Sequence, residues 1–253
     1  MNAVGTVTLM KREMKRTFKI INQVIWPPVI TTVLYVLVFG LALGTRIRHV
    51  QGVSYAEFLI PGLIMLQVID SSYAECSSSV FQGRFMNSIQ EMLIAPMSAS
   101  EILFGYILGS VARAVIIANI IMVLGFVLVH TVPQDWALYF GIMIVVSVLF
   151  SALGVIFGLL AEKFDHLAAF VTFGITPLVF VGGVFTAVQF LPQALRTASL
   201  FNPMFYTIDA FRFSFTGQSY LPLWVSMGAV SALMVVAVAI ALRMTAVGYK
   251  LRT

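Results

Sequence analysis

Long stretches without a single charged residue alternate with short polar breaks along this chain. Residues 20–45, 114–134, 136–161, 167–195 and 213–242 are charge-free, and each reaches or exceeds the ~20 residues a helix needs to cross a bilayer. A further run, 58–74, is shorter and broken by Asp70. None alternates with the period of two that marks a transmembrane barrel, which leaves α-helices as the spanning solution. The pattern predicts six transmembrane helices, at residues 28–43, 58–78, 102–129, 136–161, 167–185 and 222–243.

Three stretches need a separate reading. In residues 3–21, Val7, Met10, Met14, Phe18 and Ile21 share one stripe, while Arg12, Lys15, Arg16 and Lys19 fan out opposite and Lys11 sits at the border. That is an amphipathic helix lying in the cytoplasmic interface. Trp26-Pro27-Pro28 then marks the entry to the first span, since tandem proline suits a helix's first turn.

Residues 77–101 form the longest polar interruption. Phe81, Phe85, Ile89 and Met92/Leu93 recur at spacings of three and four, which predicts a short amphipathic helix. Pro96 stops it, and Ser98 or Ser100 can cap the next helix. Its Phe/Met/Leu face suits another protein, lipid headgroups or the chain's own spans.

Residues 182–217 do not fit a simple loop. The run 167–195 is too long for one upright helix and contains Pro177, Gly182-Gly183 and Pro192. Beyond it lies an apolar-aromatic stretch broken by Asn202-Pro203 and carrying Asp209 and Arg212. Two half-helices that enter the outer leaflet and return satisfy both facts, provided their backbone packs against protein or water. An amphipathic helix on the outer surface is the other solution.

Composition agrees with the pattern. Of 253 residues, 60% are apolar and 10% charged, against ~25% charged in soluble domains. The chain reads as one all-α integral membrane domain, 1–253, with no separate soluble part. Its charged N-terminal segment runs straight into a long apolar stretch without a small-residue cleavage site, unlike a removable signal. The excess of five positive charges suits anionic lipid headgroups rather than nucleic acid. With six spans, Lys11, Arg12, Lys15, Arg16, Lys19, Arg84, Lys163, Arg243, Lys250 and Arg252 share one side, and Arg46, Arg48, Arg196 and Arg212 share the other. Ten against four puts both termini in the cytoplasm.

The residues that carry chemistry are few. No glycine is followed by lysine, so there is no phosphate-binding loop, and no predicted loop could hold a nucleotide-binding domain. Metal spacings of Cys and His are missing, and Cys76 is the sole cysteine. The sequence therefore predicts no enzyme, no metal site and no cofactor of its own. Asp70 and Arg113 fall inside predicted spans, where an unpaired charge costs ~2.5–3.5 kcal/mol. They can pair with each other or across a subunit boundary, or meet a polar substrate. With Glu75 they could also form a proton or ion relay, as in a secondary transporter or channel, but the two halves show no inverted repeat.

Several motifs, in order, resemble the permease subunit of ABC-2 family exporters. FLIPGLIMLQVID (residues 58–70) is similar to that family's second span. SIQEMLIAPMSASEILFGYILGSVARA (88–114) resembles its cytoplasmic segment and third span, and GLLAEKFDHLAAF (158–170) its turn between spans four and five. The most specific is Gly182-Gly183-Val184-Phe185, then Leu191-Pro192, then Asn202-Pro203, Tyr206, Asp209 and Arg212. The resemblance implies a homodimer of six-span subunits in a bacterial inner membrane. Each subunit docks on a separate ABC ATPase, two copies in all, which carries the ATP and magnesium. Carried over by position, it implies that Arg84, Phe85, Asn87, Gln90 and Glu91, in a coupling segment at 79–97, meet the ATPase, with Lys11, Arg12 and Lys15 flanking. It likewise implies an extracellular re-entrant lid at 186–217, with Gly182, Gly183, Phe185, Pro192, Asn202, Pro203 and Tyr206 as lid residues.

Overall fold

In a computed structural model, residues 3–41, 49–50, 52–86 and 97–250 are described. The first helix, α1 (Ala3–Lys19), is followed after one residue by α2 (Ile21–Tyr35), which continues as a π-helical turn, Val36–Leu41. Two-residue strands β1 (His49–Val50) and β2 (Val53–Ser54) pair antiparallel. Then come α3 (Tyr55–Phe85), α4 (Ala99–Val129) and α5 (Trp136–Leu160). The next span is α6 (Phe164–Phe170), a π-turn (Val171–Ile175) and α7 (Thr176–Val181) in one line. The chain ends with α8 (Gln193–Leu200), α9 (Pro203–Thr216) and α10 (Leu223–Val247).

Helix boundaries follow local chemistry. Ser54 and Glu57 form a capping box at α3, and Ser98 and Glu101 form one at α4, so Ser98 rather than Ser100 caps there. Asp135 caps α5 through the Leu138 N–H at 3.0 Å. At the other ends, His130, Gly217 and Gly248 take left-handed conformations that close α4, α9 and α10.

Among the described residues, five helical segments are long and apolar enough to cross a membrane: Ile21–Gly40, Ala99–Val129, Trp136–Leu160, Phe164–Val181 and Leu223–Val247. Each overlaps one of the five charge-free runs. The centre of the molecule is α3, packed against α4, α5 and α9. Phe58–Ile69 is buried on every face, so protein rather than lipid is its solvent. That setting tolerates Asp70, Glu75 and a run of serines that a lipid-facing helix could not carry.

Close approach comes from glycine. A Cβ on Gly154 of α5 would stand 2.7 Å from the Tyr73 carbonyl oxygen, and one on Gly158 2.9 Å from that of Ser77. With these glycines the α3 and α5 backbones nearly touch, the small-residue packing that substitutes for a hydrophobic driving force in membranes. Beside this seam Ser151 donates to Ser110 (2.9 Å) and Ser110 to the Ser72 carbonyl (2.8 Å).

The structure departs from the sequence reading at two places. First, α2 begins at Ile21, so Pro27 and Pro28 sit within the helix and not at its entry. Their missing N–H groups leave the carbonyls of Gln23 and Val24 without the usual i+4 donors. Second, Phe81 and Phe85 belong to the end of α3, not to a separate short helix. Residues 87–96, with Asn87, Ile89, Gln90, Glu91, Met92, Leu93 and Pro96, lie outside the described residues.

On the apolar stripe of α1, Val7 and Phe18 are exposed and Met10, Met14 and Ile21 half-buried, whereas Leu9, Glu13 and Thr17 are buried. Of the two helices within 182–217, α8 is mostly exposed, and α9 is buried against α3, α5 and α10.

Candidate functional site

Beneath α1 lies an ionic clamp that joins it to α3 and α4. Two glycines of α4 make room for it: a Cβ on Gly105 would stand 2.6 Å from Leu9 Cδ2, and one on Gly109 2.7 Å from Glu13 Cβ. Glu13 is only 2% exposed. Its Oε1 accepts from Arg12 Nε (3.2 Å) and Nη2 (3.0 Å), and its Oε2 accepts from the Ser79 hydroxyl at 2.8 Å. Glu75, 3% exposed, faces it from α3. Its Oε1 accepts from Arg16 Nη2 (2.8 Å) and Thr17 Oγ1 (3.3 Å), and its Oε2 pairs with Arg113 of α4. Arg16 also reaches Ser79 and, at 3.4 Å, Glu13.

Three guanidinium groups thus surround two carboxylates. Either carboxylate left alone at such burial would cost several kcal/mol, so the cluster is stable only when whole. A cleft of about 360 Å³ opens beside it, between the basic face of α1 and the end of α3, lined by Lys15, Lys19 and Gln82 among others.

Of the roles open to Asp70 and Arg113, pairing with each other within one copy is not seen. Arg113 is held by Glu75, one turn below Asp70 on α3, while Asp70 Oδ1 is buried without a hydrogen-bond partner. Asp70 lines a groove of about 360 Å³ between α2, α3, α4 and α7.

The residues assigned to coupling divide. Arg84 turns inward: Nη1 donates to the carbonyls of Gly158, Leu159 and Ala161 (2.8–3.0 Å), and Nε to that of Lys250 (2.9 Å). It therefore satisfies the orphan carbonyls and negative dipole end of α5. Phe85 points outward, 81% exposed, stacked on Phe81. Lys11 and Lys15 are exposed, and Arg12 is shared between the clamp and the surface.

The residues assigned to the lid knit their segment to the bundle. Asn202 caps α9 through the Met204 N–H (2.9 Å) and donates to the Leu178 carbonyl (2.5 Å), and Pro203 fills the first position of α9. Tyr206 donates to the Leu200 carbonyl at 2.7 Å, and Pro192 precedes α8. Gly182 fits against Met204, where a Cβ would stand 3.0 Å from that side chain, and Gly183 takes φ +95°. Phe185 joins an aromatic cluster with Tyr35, Phe39 and Phe180, and its carbonyl accepts from Tyr55 at 2.8 Å.

Two further residues of the same motif act here. Arg212 donates to the Gly183 carbonyl (2.8 Å) and stacks 3.7 Å over Phe58. Asp209 accepts from the Tyr220 and Leu221 N–H groups, 2.7 and 3.2 Å, just before α10.

Sequence reasoning missed Glu13, Arg16, Glu75 and Ser79 as a unit. A signal was present: Glu13 is the only acid on a helix with five basic residues, and Leu9, Glu13 and Thr17 repeat every four positions. Among the described residues, no three His, Cys, Asp or Glu side chains converge as a metal site. What the clamp can do is mechanical: it makes α1, the lower half of α3 and α4 move together.

Comparison with known proteins agrees with this architecture. The family model described as "ABC-2 type transporter" matches residues 5–216. The inner membrane transport permease YadH of Escherichia coli (strain K12) is 36% identical over 225 residues, covering 89% of this chain and 88% of YadH. Nodulation protein J of Rhizobium leguminosarum bv. viciae is 26% identical over 188 residues, 74% of this chain and 72% of that protein. The chain belongs to the ABC-2 type transporter family.

Proposed function

We propose that this chain is the permease subunit of an ATP-driven exporter in a bacterial inner membrane. It forms the substrate path as a homodimer, and each copy docks on a separate ABC ATPase that binds ATP and magnesium. The chain crosses the membrane six times with both termini in the cytoplasm. In this reading α3 is the sixth crossing, because 31 residues at ~1.5 Å each exceed the ~30 Å hydrocarbon core. The segment α8–α9 re-enters from the outside as the lid.

The observation that carries the proposal is the clamp. It fastens the interfacial helix to the helix whose end presents exposed Phe85 and leads into residues 87–96. A push at that end moves α1, α3 and α4 as one body, and the stitched α9 receives the motion at the far end of α3. The inner-membrane assignment rests on the likeness to YadH, named an inner membrane transport permease. The relay reading is weaker, because Glu75 and Arg113 are bound to each other while Asp70 has no ion pair among the described residues.

The test is co-expression with candidate ABC ATPase subunits from the same organism, followed by purification and transport in liposomes. One of them should co-purify with the permease, which should raise its ATP hydrolysis. Phe85→Asp should leave the permease folded yet abolish that stimulation. Uphill accumulation of solute by the permease alone would overturn the proposal.

A further inference from the structure

We infer that the groove between α2, α3, α4 and α7 binds an amphiphile bearing a protonated amine, with Asp70 as the group that reads the charge. This deepens the transport reading and rests on it for its biological meaning, though not for the binding itself.

At about 360 Å³, the groove falls in the size range of small-molecule sites. On its polar side Asp70 is the one carboxylate. Asp70 Oδ1 is buried with no partner, and Thr31 and Gln67 flank it in the lining. From α2, Pro27, Pro28, Gln23 and Val24 line the same groove. A carboxylate oxygen buried without a partner among the described residues calls for a donor, and a cationic one meets both its hydrogen bond and its charge.

Arg113 also lines the groove; its Nε has no hydrogen-bond partner among the described residues, but its charge is paired with Glu75 and not with Asp70, which leaves the Asp70 charge to the ligand. Apolar Leu66, Ile117 and Phe180 complete the lining. They suit a hydrocarbon tail and argue against a bare inorganic cation, which would require oxygen on every side.

The experiment uses the full chain in lipid nanodiscs carrying Ala74→Cys, an exposed position in the groove lining one turn from Asp70. Native Cys76 is buried and stays silent. Alkylation of position 74 is timed with octylamine, octanol or octanoate at equal membrane-bound concentration. Octylamine alone should slow labelling. Adding Asp70→Asn should weaken that protection roughly tenfold or more, the usual weight of a hydrogen bond to a charged group.

Equal protection by octanol, stronger protection by octanoate, or no protection by any probe would each overturn the assignment. If Asp70→Asn misfolds, the amine-to-alcohol comparison in the otherwise native chain decides alone. The binding readout needs no ATPase. Loss of ATP-driven transport with amine protection intact would therefore count against the proposed function and not against the site.

Discussion

Replacing Glu75 by Gln should release α1 from the bundle while leaving the rest of the fold in place. Glu75 accepts from Arg16 and Thr17 of α1 and pairs with Arg113 of α4, and is 3% exposed. Neutralising it leaves two guanidinium groups facing each other with Glu13 as the remaining acid. Removing one partner of a buried ion pair costs about 3–5 kcal/mol; because the Arg16 and Arg113 side chains are 31% and 16% exposed, water recovers part of it, and about 2–4 kcal/mol is expected.

The readout is local, since no such loss need unfold α5 or α10. Amide hydrogen exchange over residues 9–17 should speed up by roughly 30- to 1000-fold, the conversion of that free energy at 1.4 kcal/mol per decade. The seam at residues 150–158 of α5 should stay protected. Combining Glu75→Gln with Arg113→Gln should cost less than the sum of the two, because the second change removes a charge the first left unpaired. Unchanged exchange in α1, or strict additivity of the pair, would refute the clamp.

Gly109→Val should also lift α1, because its Cβ would overlap Glu13 Cβ; faster exchange in α1 with α5 unaffected is the expected pattern. Gly154→Ala places a methyl 2.7 Å from a backbone oxygen and should cost about 1–3 kcal/mol, seen as a lower melting temperature. Gly228→Ala, where nothing lies within 4 Å, is the matched control and should be neutral or slightly stabilising. Arg84→Ala leaves three carbonyls at the end of α5 unserved and should fray residues 158–161, by about 1–2 kcal/mol in exchange measurements.

The spans were legible because lipid enforces a simple rule: charge-free runs of sufficient length become helices. Capping at Ser98 and the broken segment near Asn202-Pro203 were legible for similar local reasons. The start of α2 was not, since tandem proline inside a helix is tolerated only where neighbouring groups can serve the freed carbonyls. Nor was the orientation of α1. Its apolar stripe is what a helix at a membrane surface shows to lipid, and its contact with α4 is made by Leu9, Glu13 and Thr17 instead. Periodicity finds the larger hydrophobic face, and it cannot tell that a polar stripe is the one that meets protein. The pairing of Arg113 was equally hidden, because the choice between Asp70 and Glu75 depends on how α3 is rotated against α4.

That rotation has a consequence for how the molecule can move. On α3, Phe58–Ile69 is packed into the N-terminal half, where Phe58 meets Arg212, while Glu75 and Ser79 belong to the clamp in the C-terminal half. Glycine contacts at Gly154 and Gly158 hold α3 to α5 between them. Such contacts permit sliding or rotation along a smooth backbone surface more readily than interlocked large side chains would. Asp70 sits above the clamp, on the face of α3 turned toward α2 and α7. A turn of α3 about its own axis would therefore change the groove, the clamp and the α9 latch together. One helix links all three because it runs through the middle of the bundle, buried on every side at Phe58–Ile69 and carrying polar groups beyond it.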